Sequence, residues 1–235
     1  QNRPLFDSSV LVTAKLLKAT PGRLTYDLLP GTALSQLGDT GLPAWRYLAD
    51  AWPHLARTDV TDLPRHEPAD EAAVLDRWLA QARAAGTLTG LGFANLTEHI
   101  VAATAHAVKA LATGSGAKVL THRDLHDGQL LWDDRNLALL DLDTVCLAEP
   151  ALDLGNLAAH VDLMKQTSRL GPAAHAEIRS LLADAARALS ATPDRLGVYH
   201  RAACLRIALV HSFRPRSRAW LPDWIEACLT PSDND

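Results

Sequence analysis

A chain of 235 residues, 48% apolar and 21% charged, is long enough to bury a substantial core and too apolar to be dominated by disorder. Its net charge of −4 and pI near 6.2 leave no clustered excess of Lys and Arg, which argues against a nucleic-acid binder working by counterion release. Cys146, Cys204 and Cys228 are too widely spaced for a disulfide framework or a zinc site, no apolar run approaches a membrane span, and the opening QNRPLFDSS lacks a signal-peptide layout, so reduced thiols and a cytoplasmic location are expected.

The chain opens on Gln1 rather than Met, and a longer natural protein is the expectation. Residues 10–17 (VLVTAKLL) and 23–29 (RLTYDLL) are β-rich runs separated by Thr20-Pro21-Gly22, which reads as a hairpin. A lone hairpin is marginal in water, so this one is expected to join a larger sheet or to pack on downstream segments of the chain. Pro30-Gly31 then breaks the second strand. From about residue 40 helical spacing takes over, with Leu42, Trp45, Leu48, Ala49 and Trp52 on one stripe. The segment 58–68 is Pro-rich and charged and reads as a loop, and 69–85 as a helix whose first turn carries Asp70 and Glu71. Asn95 and Glu98 resemble a capping box opening a third helix with Ile100, Ala103, Ala107, Val108 and Leu111 on its apolar face, ended by TGSGA at 113–117.

The one β interruption of the helical body falls at 118–142. Val119-Leu120 reads as a strand, 122–128 as a polar loop, 129–132 as a second strand, Asp133–Asn136 as a turn, and 137–140 as a third strand delivering Asp141 and Asp143. Two hairpin arms would thus bring Asp124, Gln129 and Asp141 to one end of a small sheet. Carboxylates gathered this way repel unless a cation intervenes, and a hard divalent ion held by carboxylates and phosphate oxygens is the economical answer. A zinc-hydrolase reading of the His122, Asp124, His126 run is the rival; it lacks further histidines in register, His160 alone not being enough. His126 and Asp127 are expected in the exposed part of the loop, and Leu130, Leu131, Leu139 and Leu140 in the core. Downstream, helices are expected at about 150–164, 171–189 and 192–212, followed by a short helical stretch with Trp220, Pro222 and Trp224 and a frayed acidic tail SDND. Arg201, Arg206, Arg214, Arg216 and Arg218 read as a solvated face.

In order along the chain, HRDLHDGQLLW, ALLDLDTV and EPALDLGNLAAH resemble the aminoglycoside phosphotransferase and choline kinase branch of the protein-kinase-like fold. Its members carry an H-x-D-x-x-x-x-N loop, an I-D-[WFC] metal aspartate and a D-P-x-x-D-[LI] segment. The resemblance covers about residues 10–225. It implies an α+β, protein-kinase-like fold: a mainly helical C-terminal lobe over 30–235 with a small central β element, and a β-hairpin remnant of the N-terminal lobe over 1–29. It further implies an ATP- and Mg2+-dependent transfer of the γ-phosphoryl group to a small-molecule hydroxyl acceptor; charge and the lack of an apolar span add the expectation of no nucleic-acid or membrane partner. Asp124 would be the catalytic base, Asp141 the chief magnesium ligand and Gln129 a metal or loop ligand. Asp143 and His126 are secondary candidates, His122 and Asp153 would support the loop, and backbone groups at Asp27, Leu28 and Leu29 would meet the adenine. The sequence departs from the family in having Gln129 where Asn is usual. It also holds no glycine-rich phosphate loop and no strand lysine with a glutamate partner; Lys15 lies only one hairpin from Pro30-Gly31 and is not that lysine. A non-catalytic nucleotide- or metabolite-binding module is the alternative that these departures leave open.

Overall fold

The structure, a computed structural model, describes residues 10–60, 62–89, 95–114 and 116–229; the acidic tail at 232–235 lies outside them. The first β run is not one strand. Leu11 is buried in the core and Val12–Thr13 (β1) pairs with a strand far downstream, whereas Leu16–Thr20 (β2) pairs antiparallel with Arg23–Tyr26 (β3). Gly22 turns the hairpin at φ 76°, a left-handed conformation glycine adopts without penalty. The expectation that the hairpin joins a larger sheet or packs on the body is not met among the described residues: both strands are exposed throughout. The chain kinks at its base, where the Lys15 amide donates to the Asp27 carboxylate (2.5 Å) and the Asp27 amide donates to the Lys15 carbonyl (3.0 Å).

Thr32–Ala33 (β4) then lies on a strand downstream, and Gly31 makes that approach possible. At φ 111° it places its Cα so close to Trp132 that an added Cβ would sit 2.8 Å from the Trp132 backbone. A short helix, Leu34–Leu37 (α1), and a 3-10 turn lead into Leu42–Ala56 (α2), which buries Trp45, Leu48 and Trp52 as its apolar stripe requires. Pro68–Ala84 (α3) begins with a capping box formed by Glu67 and Asp70; Glu71, expected only to complement the helix dipole, turns inward and meets His66 at 3.0 Å. Leu96–Ala112 (α4) buries Ile100, Ala107 and Leu111. Its expected capping box does not form. Asn95 is left-handed (φ 64°), away from the extended backbone from which a side chain reaches the first-turn amides, and makes no cap hydrogen bond.

Val119–Thr121 (β5) leads into the polar loop, Leu130–Trp132 (β6) and Leu137–Leu139 (β7) form a hairpin, and Cys146–Ala148 (β8) comes next. The β6–β7 turn is held by Asp133, whose Oδ1 accepts from the amides of Arg135 (3.0 Å) and Asn136 (2.6 Å). Four strands make one sheet in the order β1-β7-β6-β4, with β1 parallel to β7 and the other pairs antiparallel. β5 does not share that sheet; it pairs antiparallel with β8, Val119 opposite Ala148 and Thr121 opposite Cys146. The polar loop therefore connects two sheets. Leu130 and Leu139 are buried as expected, while Leu131 and Leu140 are only half-buried.

Helices Ala151–Gln166 (α5), Pro172–Ala188 (α6), Pro193–Ser212 (α7) and Leu221–Leu229 (α8) complete the body. α5 is buried on nearly every side because α6 and α7 pack along it, and α7 also meets α3, α4 and α8. Gly155 allows the α5–α7 approach: a Cβ there would lie 2.7 Å from Tyr199 Cβ and 2.8 Å from the His200 nitrogen. The three cysteines are free thiols, and among the described residues no helix is long and apolar enough to cross a membrane.

Candidate active site

The polar loop is held from three sides. Buried Asp153, in the first turn of α5, accepts the backbone N–H groups of His122 (2.7 Å) and Arg123 (2.8 Å). That double grip holds Arg123 at φ 72°, a left-handed conformation that a non-glycine residue keeps only when its surroundings impose it. Burial drives the Asp153 carboxyl up to about 6, against the opposing pull of His122 and the two amide donors. One turn further along α5, Asn156 Nδ2 donates to the Leu125 carbonyl at 2.8 Å. His122, fully buried, donates from Nε2 to the Leu140 carbonyl (2.8 Å), and its own carbonyl accepts from Thr144 Oγ1 (2.8 Å). The loop is thereby bonded to both flanks of Asp141.

A 3-10 turn at Asp127–Gln129 carries the chain into β6. His126 caps it, Nδ1 accepting from the Gly128 amide at 3.0 Å, and the Gln129 carbonyl accepts from the Leu140 amide at 2.9 Å. Asp141 is left-handed (φ 58°) and exposed, and Gln129 Nε2 donates to its Oδ2 at 3.3 Å. Asp124 stands at the loop's open side with 40% of its side chain exposed. Its Oδ1 lies 3.4 Å from Arg206 Nη1 and its Oδ2 lies 4.0 Å from His126 Nε2. Of the three residues expected to converge, Gln129 and Asp141 meet through a direct hydrogen bond, and the construction differs from the expected pair of hairpin arms. The β6–β7 hairpin supplies Gln129 and Asp141, while Asp124 arrives from the β5–β8 sheet across the His122–Leu140 bond.

Asp143 is exposed beside Asp141, in the 3-10 turn Leu142–Thr144. At the hairpin base, the Asp27 amide and carboxylate are both committed to Lys15, the Leu28 side chain is 96% exposed and Leu29 is half-buried. The expectation of a solvated His126-Asp127 pair is wrong. Asp127 is buried and faces His160 Nδ1 at 3.2 Å and Arg169 at 3.6 Å, and the rings of His126 and His160 stack at 4.7 Å. Burial alone would raise the Asp127 carboxyl, but His160, His126 and Arg169 outweigh it and hold it below its usual range; burial and His160 push His126 down to about 4. His126, Asp127 and His160 place ligand-type atoms within 4.8 Å of one another. Arg169 already supplies a cation to the buried Asp127 carboxylate.

Sequence reasoning also missed Arg206, read as part of a solvated face. It lies inside α7 with 21% of its side chain exposed, Nη2 donating to Asn156 Oδ1 at 2.7 Å and Nη1 to Asp124 Oδ1 at 3.4 Å. The overlooked sign was local: Cys204, Leu205, Ile207 and Ala208 flank it and are all buried, so an arginine in that run sits within packed helices.

A family model described as the APH phosphotransferase enzyme family matches residues 16–199. The chain belongs to that family. No curated protein matches it closely by sequence. Among solved structures, this phosphotransferase family member is similar to a glucosamine kinase at 17% identity and TM-score 0.61, over 89% of its own length and 59% of the kinase. It thus spans less than two thirds of that neighbour. It is also similar to a thermostable mutant of aminoglycoside phosphotransferase APH(4)-Ia, in a ternary complex with AMP-PNP and hygromycin B, at 13% identity and TM-score 0.67, over 95% of its length and 78% of that chain. A choline/ethanolamine kinase family protein from Mesorhizobium loti matches at 15% identity and TM-score 0.65, over 96% and 76%. These likenesses show a kinase-like α+β fold with a mainly helical body and small β elements.

Proposed function

We propose that the protein is an ATP-dependent phosphotransferase that moves the γ-phosphoryl group to a hydroxyl of a small molecule, and that Asp124 is its general base. The observation that carries this reading is the hydrogen-bonded junction of the 122–129 loop with the Asp141 turn: His122 Nε2 to the Leu140 carbonyl and Gln129 Nε2 to Asp141 Oδ2. Phosphoryl transfer needs an exposed base beside a hard-oxygen cation site, and this junction supports such a pairing of Asp124 with Asp141. Asp124 Oδ2 would take the proton of the acceptor hydroxyl.

The donor set fits magnesium. Asp141 and Asp143 are exposed carboxylates with no soft ligand beside them, and Gln129 offers a third oxygen if its amide turns, since its N–H now faces Asp141. When bound, the ion would neutralise charge on the nucleotide phosphates. Residues 1–29 are read as part of a small β lobe and 30–235 as the helical lobe, with the carbonyl of Asp27 and the backbone of Leu28 and Leu29 available to the adenine. The AMP-PNP complex of the APH(4)-Ia mutant supports a nucleotide at this site, and the named neighbours point to amino sugars, aminoglycosides or amino alcohols as acceptors. The orientation of Gln129 favours a second reading, a non-catalytic nucleotide-binding module, because the amide already occupies Asp141 with a donor.

ADP release by the full-length protein with MgATP separates the two when measured across a panel of aminoglycosides, glucosamine and choline. The expected result is acceptor-dependent turnover that Asp124→Asn lowers by roughly 10²–10⁴-fold, with circular dichroism and melting temperature unchanged. Wild-type turnover in Asp124→Asn would remove Asp124 from the role of base.

A further inference from the structure

We propose that Arg206 is the positioning residue of the site: it holds one oxygen of Asp124 so that the other faces the acceptor. The inference rests on the phosphotransferase reading and adds to it a residue from a distant helix. Arg206 Nη1 reaches Asp124 Oδ1 (3.4 Å), while Oδ2 remains on the open side, 4.0 Å from His126 Nε2. The second arm of the guanidinium donates to Asn156 Oδ1 (2.7 Å), which fixes the Asn156 amide with its nitrogen toward the Leu125 carbonyl (2.8 Å). One planar fork thus ties α7 to α5, and through α5 to the backbone next to Asp124. A lysine, with a single compact charge, could serve one of these partners but not bridge both.

The arrangement is also costly, and that points away from a purely structural role. Arg206 Nε is buried without a hydrogen-bond partner among the described residues, and a well-packed apolar side chain at this place in α7 would avoid that desolvation. The neighbouring charges balance the guanidinium without relieving Nε: buried Glu71 on α3 is held below its usual range, against its own desolvation, by His66, Arg206 and Arg123. A carboxylate that must accept a proton from one direction gains from having its other oxygen fixed, because small misplacements of a reacting group are expensive.

The test uses the full-length protein with Arg206→Met and Arg206→Lys, each also combined with Asp124→Asn, with ADP-release kinetics and amide hydrogen exchange of residues 122–128 as readouts. In Arg206→Met, kcat is expected to fall roughly 10–100-fold with the nucleotide KM within about twofold of wild type, and Arg206→Lys to recover part of the loss. In the Asp124→Asn background, Arg206→Met should cost little more, since the side chain it aims no longer takes a proton. Exchange at 122–128 should quicken in Arg206→Met while α5 and α6 keep their protection. Unchanged kcat in Arg206→Met, or an equal loss with and without Asp124, overturns the proposal. If the wild type shows no turnover, the phosphotransferase reading fails by itself, and the exchange data alone decide the brace: quickening at 122–128 upholds it, unchanged protection overturns it.

Discussion

Asp153 is the residue on which the loop's shape rests. Its carboxylate satisfies two buried amides in succession, those of His122 and Arg123, from a fully buried position. Asp153→Ala leaves both donors unpaired and is expected to destabilise the fold by about 2–4 kcal/mol in urea titration. The same residue was legible in EPALDLGNLAAH, because that motif is local in sequence. Arg206 was not legible, since its partner Asp124 lies 82 residues away and only packing reveals the pair. A second residue-scale cluster sits apart from the site. Asp162 on α5 accepts from His175 on α6 and His200 on α7, each at 2.7 Å, with Arg179 close by. Burial opposes a charged His200, yet Cys204 and Asp162 outweigh it and lift the imidazole from 6.5 to about 9. Cys204 is itself pushed up by Cys228 and by burial and stays a neutral thiol, so the Asp162 carboxylate is the partner that holds the charge. Burial would raise the Asp162 carboxyl, but His175, His200 and Arg179 hold it below 3.8. The His200 contribution is therefore complete below 6.5 and fades as pH rises through about 9, and the Asp162 contribution is present above 3.8 and lost on acidification. His200→Gln is expected to cost roughly 1–3 kcal/mol near pH 6, and the gap between melting curves of variant and wild type should close above about pH 9.

At the scale of elements, the long helices and the strands flanking clear turn signals were readable, whereas β1, β4 and β8 were not. α5, α6 and α7 fall within two residues of the expected bounds at each end, because a repeating apolar stripe over several turns leaves little freedom. β1, β4 and β8, two or three residues each, lack the turn signal that marks the equally short β6 and β7, and exist because partners already in place accept their hydrogen bonds. The capping box at Asn95 shows the same limit from the other side: the right residue types occur, but the backbone turns them away. The α5–α7 contact supplies the prediction for this scale. Gly155→Ala would set a methyl 2.8 Å from the His200 backbone nitrogen, forcing the helices apart and drawing Arg206 away from the loop. A loss of about 1–3 kcal/mol is expected by thermal or chemical denaturation, together with reduced turnover.

In the whole molecule, stability is unevenly spread. The helical body shares one continuous core, whereas the β2–β3 hairpin exposes Leu16, Leu17, Leu24 and Tyr26 and gains no burial from the body. Amide exchange at 16–26 is therefore expected to outpace exchange in α5 by several orders of magnitude, approaching the rate of an isolated hairpin. The embedding of Leu11 and β1 in the body was not readable in the sequence, because β1 pairs with β7 across the length of the chain. The central claim is that Asp124 and Asp141 serve one metal–nucleotide pocket in different capacities. It is tested most directly by titrating Mn2+·ATP into the full-length wild type, Asp141→Asn and Asp124→Asn, with binding read by electron paramagnetic resonance. The expected result is binding weakened at least about tenfold in Asp141→Asn and nearly unchanged in Asp124→Asn, which nonetheless fails to transfer phosphate. Equal Mn2+·ATP affinity in the wild type and Asp141→Asn would contradict it.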